Sequence, residues 1–481
     1  MSVFFPAKTA HNKPAYLSWL SFVVYLLFYL FFAFHDGVIL GADSSTYIGM
    51  SFSREPFYSL LLAFFRLFGE NNYLQYVVVF QSILMAVSGW ALADYLRKAL
   101  SVHSLYSSLL YLFPLATSLL CRFAAGRKSM FTNSILTEGI TTSLYLLFIL
   151  FLYRYLIEGK SKFLSFSALL AFCMVSARKQ MLMILPLLCL GILFFCLVKE
   201  GNRCKRALMK GAVQAILISL GVLFASHLLD CSYNYLLRGQ FTKHSSDNRF
   251  FTTMIFYNAE ERDAAYIQDE EIRALFLDIY SACQRKGYLG FQAEEGWLNE
   301  VNHFGDHYDH IQIDTMWPMI LEKAGENVGE TDAALKDLET DRINRVMIQS
   351  ILPHQLPKLL HTLMNNFLSG LVMTVAQLKP VLIIYSMIIY LAYIALFIRL
   401  WLSHHKKPTK TSLHILIFAG LTFMGIISNI TLVSAVIFCQ TRYTIYNMPL
   451  FYMAGALLLY ANRASFPYPV LRKSSHSYSR S

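Results

Sequence analysis

The chain has 481 residues, 56% of them hydrophobic and 15% aromatic, and a formal net charge of +11. Mean hydropathy is +0.45, and apolar runs of about 18 residues or more recur, the length a helix needs to cross a bilayer. This composition excludes a soluble globular domain. The positive charge is no nucleic-acid footprint, because it follows the loops between apolar runs.

The first run, residues 17–34, is too long for a signal-peptide core and is followed by no small-residue cleavage site, so it reads as a retained helix. Further runs lie at 77–92, 105–120, 135–153, 163–175, 181–198, 212–229, 381–401, 413–439 and 446–460, about ten transmembrane helices in all. Alternate loops are basic: Arg97 and Lys98; Arg154, Lys160 and Lys162; Lys199, Arg203, Lys205, Arg206 and Lys210; Lys406, Lys407 and Lys410. The positive-inside rule makes these loops and both termini cytoplasmic. Residues 231–358 hold 21 of the 30 acidic residues against 12 Lys and Arg, and so belong outside. Phe250, Phe251, Ile255, Phe256, Tyr257, Leu275, Phe276, Leu277 and Trp297 supply this insert with a small core. The segment 359–378 is apolar but interrupted by Asn365 and Asn366, and a span there would break the charge alternation, so it reads as a helix at the outer interface.

The expected fold is therefore an all-α polytopic membrane protein with outer-face juxtamembrane helices and a mostly helical extracytoplasmic insert. Its parts are an N-terminal membrane module (1–230), the acidic insert (231–358), the interfacial helix with the C-terminal membrane helices (359–462) and a basic cytoplasmic tail (463–481). Only Cys231 and Cys283 could meet as a disulfide outside. No P-loop, dinucleotide fingerprint or HExxH motif is present, so nothing points to ATP or a dinucleotide.

The loops expected outside should be poor in cations, yet they carry Arg54 and Arg66, then Arg122, Arg127 and Lys128, then Arg178 and Lys179, and finally Arg442. Cations against the orientation bias either bind an anion or snorkel to lipid headgroups. Pro56 suits the first turn of a helix over 56–68 that Gly69 ends, too short to span, with Arg54 at its amino-terminal end. Asp43 follows the first helix in a Gly/Ser/Thr stretch, where it serves either as a general base towards a hydroxyl or as the N-cap of the next segment. Asp36 is the alternative acid, and Glu138 lies at a depth where a carboxylate is costly unless paired. His303, His307 and His310 have helix-compatible spacing, read either as metal ligands or as polar surface.

Taken together, Asp43 in the first outer loop, Arg54-x-Pro56-x-Tyr58, Glu138 opening the fourth helix, Arg178, and Arg442-Tyr443 before the last helix resemble the GT-C superfamily. These are integral-membrane glycosyltransferases using polyprenyl-phosphate sugars, among them protein O-mannosyltransferases and the aminoarabinose transferases of lipid A. The resemblance implies Asp43 as base, with Arg54, Arg178, Lys179 and Arg442 on the donor phosphate and Tyr58, Tyr443, Arg127 and Lys128 in support. It also implies a polyprenyl-phosphate-linked sugar donor, a lipid, glycan or protein hydroxyl acceptor, and transfer with inversion. The expected location is a bacterial inner membrane, with the site on the extracytoplasmic face. Two departures stand out: Ser44 replaces the second acid of a frequent Asp-Glu pair, which leaves a divalent metal open, and Ser59 stands where a Pro often follows the Tyr. A lipid-linked glycan polymerase or ligase is the main alternative. A transporter or flippase is disfavoured by spans nearly free of charge.

Overall fold

The computed structural model describes residues 15–102, 104–124, 129–200, 204–245, 247–329 and 333–463. The membrane part opens with α1 (Ala15–His35), two short helices α2 (Ser44–Ile48) and α3 (Pro56–Arg66), then α4 (Tyr73–Leu100), α5 (Ser104–Ala124), α6 (Glu138–Glu158), α7 (Ser161–Ala177), α8 (Ile184–Glu200) and α9 (Cys204–Arg238). The insert contributes α10 (Asp247–Tyr257), α11 (Glu270–Arg285), α12 (Trp297–Ile311) and α13 (Trp317–Val328). The chain then passes through α14 (Ala333–Val375), α15 (Pro380–Lys406), α16 (Lys410–Ser434), the short α17 (Thr441–Thr444) and α18 (Met448–Asn462).

Each of the ten predicted runs falls mainly on a helix, though the run 413–439 outlasts its helix, which ends at Ser434. Eight helices, counted among the described residues, are long and apolar enough to cross a membrane. The other two, α7 with 17 residues and α18 with 15, are shorter than a full span. Only 11% of the apolar stretches of α9 and α15 is buried within the protein. Leu217, Leu220, Ile384, Ile388 and Leu391 are left outward, a surface that fits lipid and not water. An integral multi-pass membrane protein is the physical consequence. By contrast α6 is 78% buried over its apolar stretch, and packs against α4, α7, α8 and α16. The residue that opens this central helix is Glu138.

Polar groups collect at the two ends of the bundle. At one end, Asp94 pairs with Arg97 at 2.8 Å and Lys98 at 2.5 Å, and Glu158 pairs with Arg154 and Lys160, each at 2.8 Å. The insert covers the other end. Its core is formed by Ile255, Phe256, Phe276, Ile279, Tyr308, Ile311, Met316, Ile320, Ile343, Met347 and Ile351. Trp297 stands outside this core, with a buried Nε1 that has no partner among the described residues. Cys231 and Cys283 are both free thiols.

Two expectations about the insert boundaries are revised. The predicted seventh span ends at residue 229, but α9 continues to Arg238, and its 35 residues at about 1.5 Å each outrun a bilayer core. The segment 359–378 is no separate surface helix: it is the second half of α14, 43 residues running unbroken from the insert into contact with α15, α16, α17 and α18. The domain boundary placed at residue 358 therefore falls inside a helix. Pro353 and Pro357 sit within α14 without ending it. Asn366, read from the sequence as an interruption, is a buried clip: its Nδ2 donates to Ser434 O at 3.3 Å and Ile437 O at 2.7 Å, and its Oδ1 accepts from Cys439 N at 2.7 Å.

Candidate functional site

The first loop is held in place before it presents any charged group. Gly37 takes φ +67°, a left-handed turn that glycine adopts without steric cost. The strand-like step at Ile39 then pairs with the chain entering α6, Ile39 N donating to Asn133 O and Ile135 N to Ile39 O, both at 3.0 Å. Ser44 Oγ accepts from Gly41 N and donates to Ile135 O, both at 2.8 Å. Tyr47, Tyr58, Val77, Ile135, Ile140 and Ala177 form a small core that packs α2 and α3 onto α4, α6 and α7. The loop carrying Asp43 and the start of α6 carrying Glu138 are thus one rigid unit.

Within that unit Tyr58 is buried, its hydroxyl donating to Gln81 Oε1 at 2.9 Å. Gln81 Nε2 in turn donates to Thr132 O at 2.9 Å and Ser134 O at 3.2 Å. Gly139 is where Gln81 crosses α6, and a Cβ there would lie 2.5 Å from Gln81 Oε1. Gly139→Ala is therefore expected to push the buried amide off its three partners, lowering stability by about 1–3 kcal/mol. Thermal melts should show most of that loss disappearing in a Gln81→Ala background, because the collision is then gone.

Five charged side chains from five places in the sequence meet at this end of the bundle. Arg54 Nη2 donates to Asp43 Oδ1 at 2.7 Å, and Arg442 Nη2 donates to Asp43 Oδ2 at 3.0 Å. Arg442 Nε also donates to Glu138 Oε1, which Arg178 Nη1 reaches at 2.7 Å. Arg178 further donates to Thr137 Oγ1 at 3.2 Å, and Arg54 Nε to Thr46 Oγ1 at 2.8 Å. Aromatic faces line the guanidiniums: Arg54 lies 4.9 Å from the Tyr47 ring, and Arg178 and Arg442 lie 5.2 and 5.6 Å from that of Tyr443. Tyr443 is fixed through its carbonyl, which accepts from Gln180 Nε2 at 2.7 Å and Asn429 Nδ2 at 2.8 Å.

The two carboxylates differ in exposure, and this separates what they can do. The Glu138 side chain is 0% exposed, an internal counter-charge for two arginines. Asp43, at 31%, is the most open of the five and meets whatever enters. It stands at the N-cap position of α2 but makes no side-chain cap bond. Burial pushes its carboxyl up, but Arg54 and Arg442 overcome that and hold it below the usual carboxylate range. Lys179 adjoins the group, its backbone N–H donating to Glu55 Oε1 at 2.8 Å.

Other predicted residues are placed elsewhere. Asp36 pairs with Arg122 and His35, each at 2.8 Å, apart from the cluster. Arg66 donates to Tyr73 Oη at 3.2 Å and lies against its ring. Arg127 and Lys128 lie outside the described residues, as does the tail beyond residue 463. The three histidines do share α12, but their nitrogens are engaged separately: His303 Nε2 with Gly287 O at 3.1 Å, His307 Nδ1 with His303 O at 2.9 Å, His310 Nδ1 with Asp314 at 2.6 Å. Among the described residues no group of three or more His, Cys, Asp or Glu is disposed to hold a metal ion.

Sequence reasoning missed what the insert brings. Tyr308 Oη donates to Phe250 O at 2.9 Å and Val436 O at 3.2 Å, fastening α12 and α10 over the turn that leads to Arg442. Asp309 follows it, exposed to solvent, its carboxyl raised by partial desolvation against the pull of Arg442 and with a push from Asp43. Arg249 of α10 comes within electrostatic reach of Arg54 and Asp43. Compared with protein-family models, curated proteins and solved structures, the chain matches none.

Proposed function

We propose that this protein transfers a sugar from a polyprenyl-phosphate donor to a hydroxyl acceptor, with the chemistry at the Asp43 cluster on the outer face of the membrane. The observation that carries the reading is the convergence of Arg54, Arg178 and Arg442 on two carboxylates of unequal exposure, at the bundle end covered by the insert. Three guanidiniums in a partly desolvated place suit a phosphate whose charge grows during reaction. The GT-C resemblance set out above points the same way.

In this mechanism the acceptor oxygen attacks the anomeric carbon as the bond from that carbon to the phosphate oxygen breaks. The bonding pair leaves on the phosphate, which departs as polyprenyl monophosphate, and the hydroxyl proton passes to Asp43. A carboxylate gripped by two guanidiniums is ionised but a weak base. Donor phosphate competes for those same N–H groups, and loosening them from Asp43 restores its basicity as the substrate arrives.

Purified protein offered a panel of labelled polyprenyl-phosphate sugars should release polyprenyl monophosphate and a labelled, inverted glycoside. Failure with every donor, alongside chain growth from pyrophosphate-linked oligosaccharides, would replace this reading with the polymerase or ligase one. The face is tested by an impermeant thiol reagent on intact cells: a cysteine at Glu294 should label and one at Lys407 should not. The reverse pattern moves the site to the cytoplasm.

A further inference from the structure

Arg249 is built differently from every other arginine at the site. Its guanidinium lies 4.9 Å from the Phe250 ring and 5.0 Å from the Trp317 ring, so the head is held against two aromatic faces. Its Nε is buried with no hydrogen-bond partner among the described residues. Asp337 and Asp309 approach from the insert, but neither forms an ion pair with Arg249, Arg54, Arg178 or Arg442 among those residues. Burial, and then the neighbouring charge of Arg54, disfavour the Arg249 cation, with Asp43, Tyr308 and Asp337 only partly offsetting them. Holding an unpaired cation beside another cation is costly unless something anionic visits.

The charge count gives that visitor's chemistry. Four guanidiniums, those of Arg54, Arg178, Arg442 and Arg249, face two carboxylates that pair with them by contact, Asp43 and Glu138, while Asp309 and Asp337 stand near without an ion pair to any of the four among the described residues. Two more guanidiniums than contact-paired carboxylates suit a phosphate monoester dianion better than a phosphodiester monoanion. That is the difference between leaving group and donor in the reaction proposed above.

We propose that Arg249 of the insert completes, with Arg54, Arg178 and Arg442, a binding site for a phosphate that leaves with two negative charges. The inference rests on the sugar-transfer reading for the identity of that phosphate, and on the Arg249 environment for the site itself. It makes the insert a working part of the phosphate site, because α10 supplies one of its four cations.

The test uses the full chain in nanodiscs, with Arg249→Met, which keeps an unbranched apolar side chain, and Arg249→Lys, which keeps the charge. The probes are polyprenyl monophosphate, neutral polyprenol and inorganic phosphate. Arg249→Met should bind polyprenyl monophosphate at least about tenfold more weakly, the loss of one charge-assisted contact, with polyprenol binding unchanged and Arg249→Lys partly restored. Without ligand, its melting temperature should equal or exceed that of the wild type, since an unpaired buried cation has gone. A lower melting temperature with undiminished lipid-phosphate binding would make Arg249 a packing residue and overturn the proposal. Wild-type lipid-phosphate binding that survives in Arg249→Met likewise removes the site but leaves the donor reading intact. Binding of inorganic phosphate but not the lipid, lost in Arg249→Met, keeps the site and removes the polyprenyl donor.

Discussion

Glu138→Gln is expected to destabilise the protein by about 3–5 kcal/mol, the cost of breaking a buried ion pair from one side. The side chain is 0% exposed and accepts from both Arg178 and Arg442. The amide is nearly isosteric, so packing survives while the charge does not. Arg178, Arg442 and Arg54 would then share the single carboxylate of Asp43. Repulsion should show as a melting temperature lowered by several degrees in detergent, and as partial recovery on adding polyprenyl monophosphate, which resupplies negative charge. Glu138→Asp should recover less than its charge suggests, since the shorter side chain cannot reach both guanidiniums from the same backbone position. A Glu138→Gln protein as stable as the wild type would mean that the arginines are already compensated by solvent, and Glu138 would lose its role as their anchor.

How far the sequence reaches can be judged residue by residue. Run length made the apolar helices legible, eight of them long enough to cross a membrane among the described residues, because a lipid-facing helix must be apolar over a fixed length. The charge alternation separated the ends of the bundle for the same reason that Arg54, Arg178 and Arg442 stood out: each is a cation in a loop where the orientation rule expects few. What it could not show is that Asp43 bridges Arg54 and Arg442, because 399 positions separate Asp43 from Arg442 in the chain and only the packed bundle brings them together. Arg249 was hidden by composition, since one arginine in an acidic insert reads as charge balance. Asn365 and Asn366 misled in a definite way. A polar pair in an apolar run is a local signal for a break, and it is overridden: Asn366 has three backbone partners on the turn before Arg442.

Asp43→Asn should lower transfer by about 100-fold or more, the scale of a lost general base, while leaving the fold nearly intact. The change removes one negative charge from between Arg54 and Arg442, at a side chain 31% exposed, where solvent softens the effect that makes Glu138→Gln so costly. Freed from their carboxylate, the two arginines should hold polyprenyl monophosphate at least as tightly as before, so that rate falls while lipid-phosphate affinity does not. Arg54→Ala and Arg442→Ala should do the opposite, losing affinity and rate together. The pH dependence has a definite sign. Burial raises the Asp43 carboxyl but Arg54 and Arg442 bring it below its ordinary value, so its share of stability is present above about pH 3.9, the unfolded value, and is lost only as pH falls through the lower folded value. Without ligand the pairing therefore persists through mildly acid conditions. An Asp43→Asn protein that still turned over at a near-normal rate would leave Asp43 as a spacer between arginines. Asp36 could not then take over, being tied to Arg122, and Glu138 is closed to any acceptor. A further carboxylate within electrostatic reach of Arg442 is Asp309, carried on the insert with its carboxyl raised by partial desolvation, and Asp309→Asn would become the decisive variant.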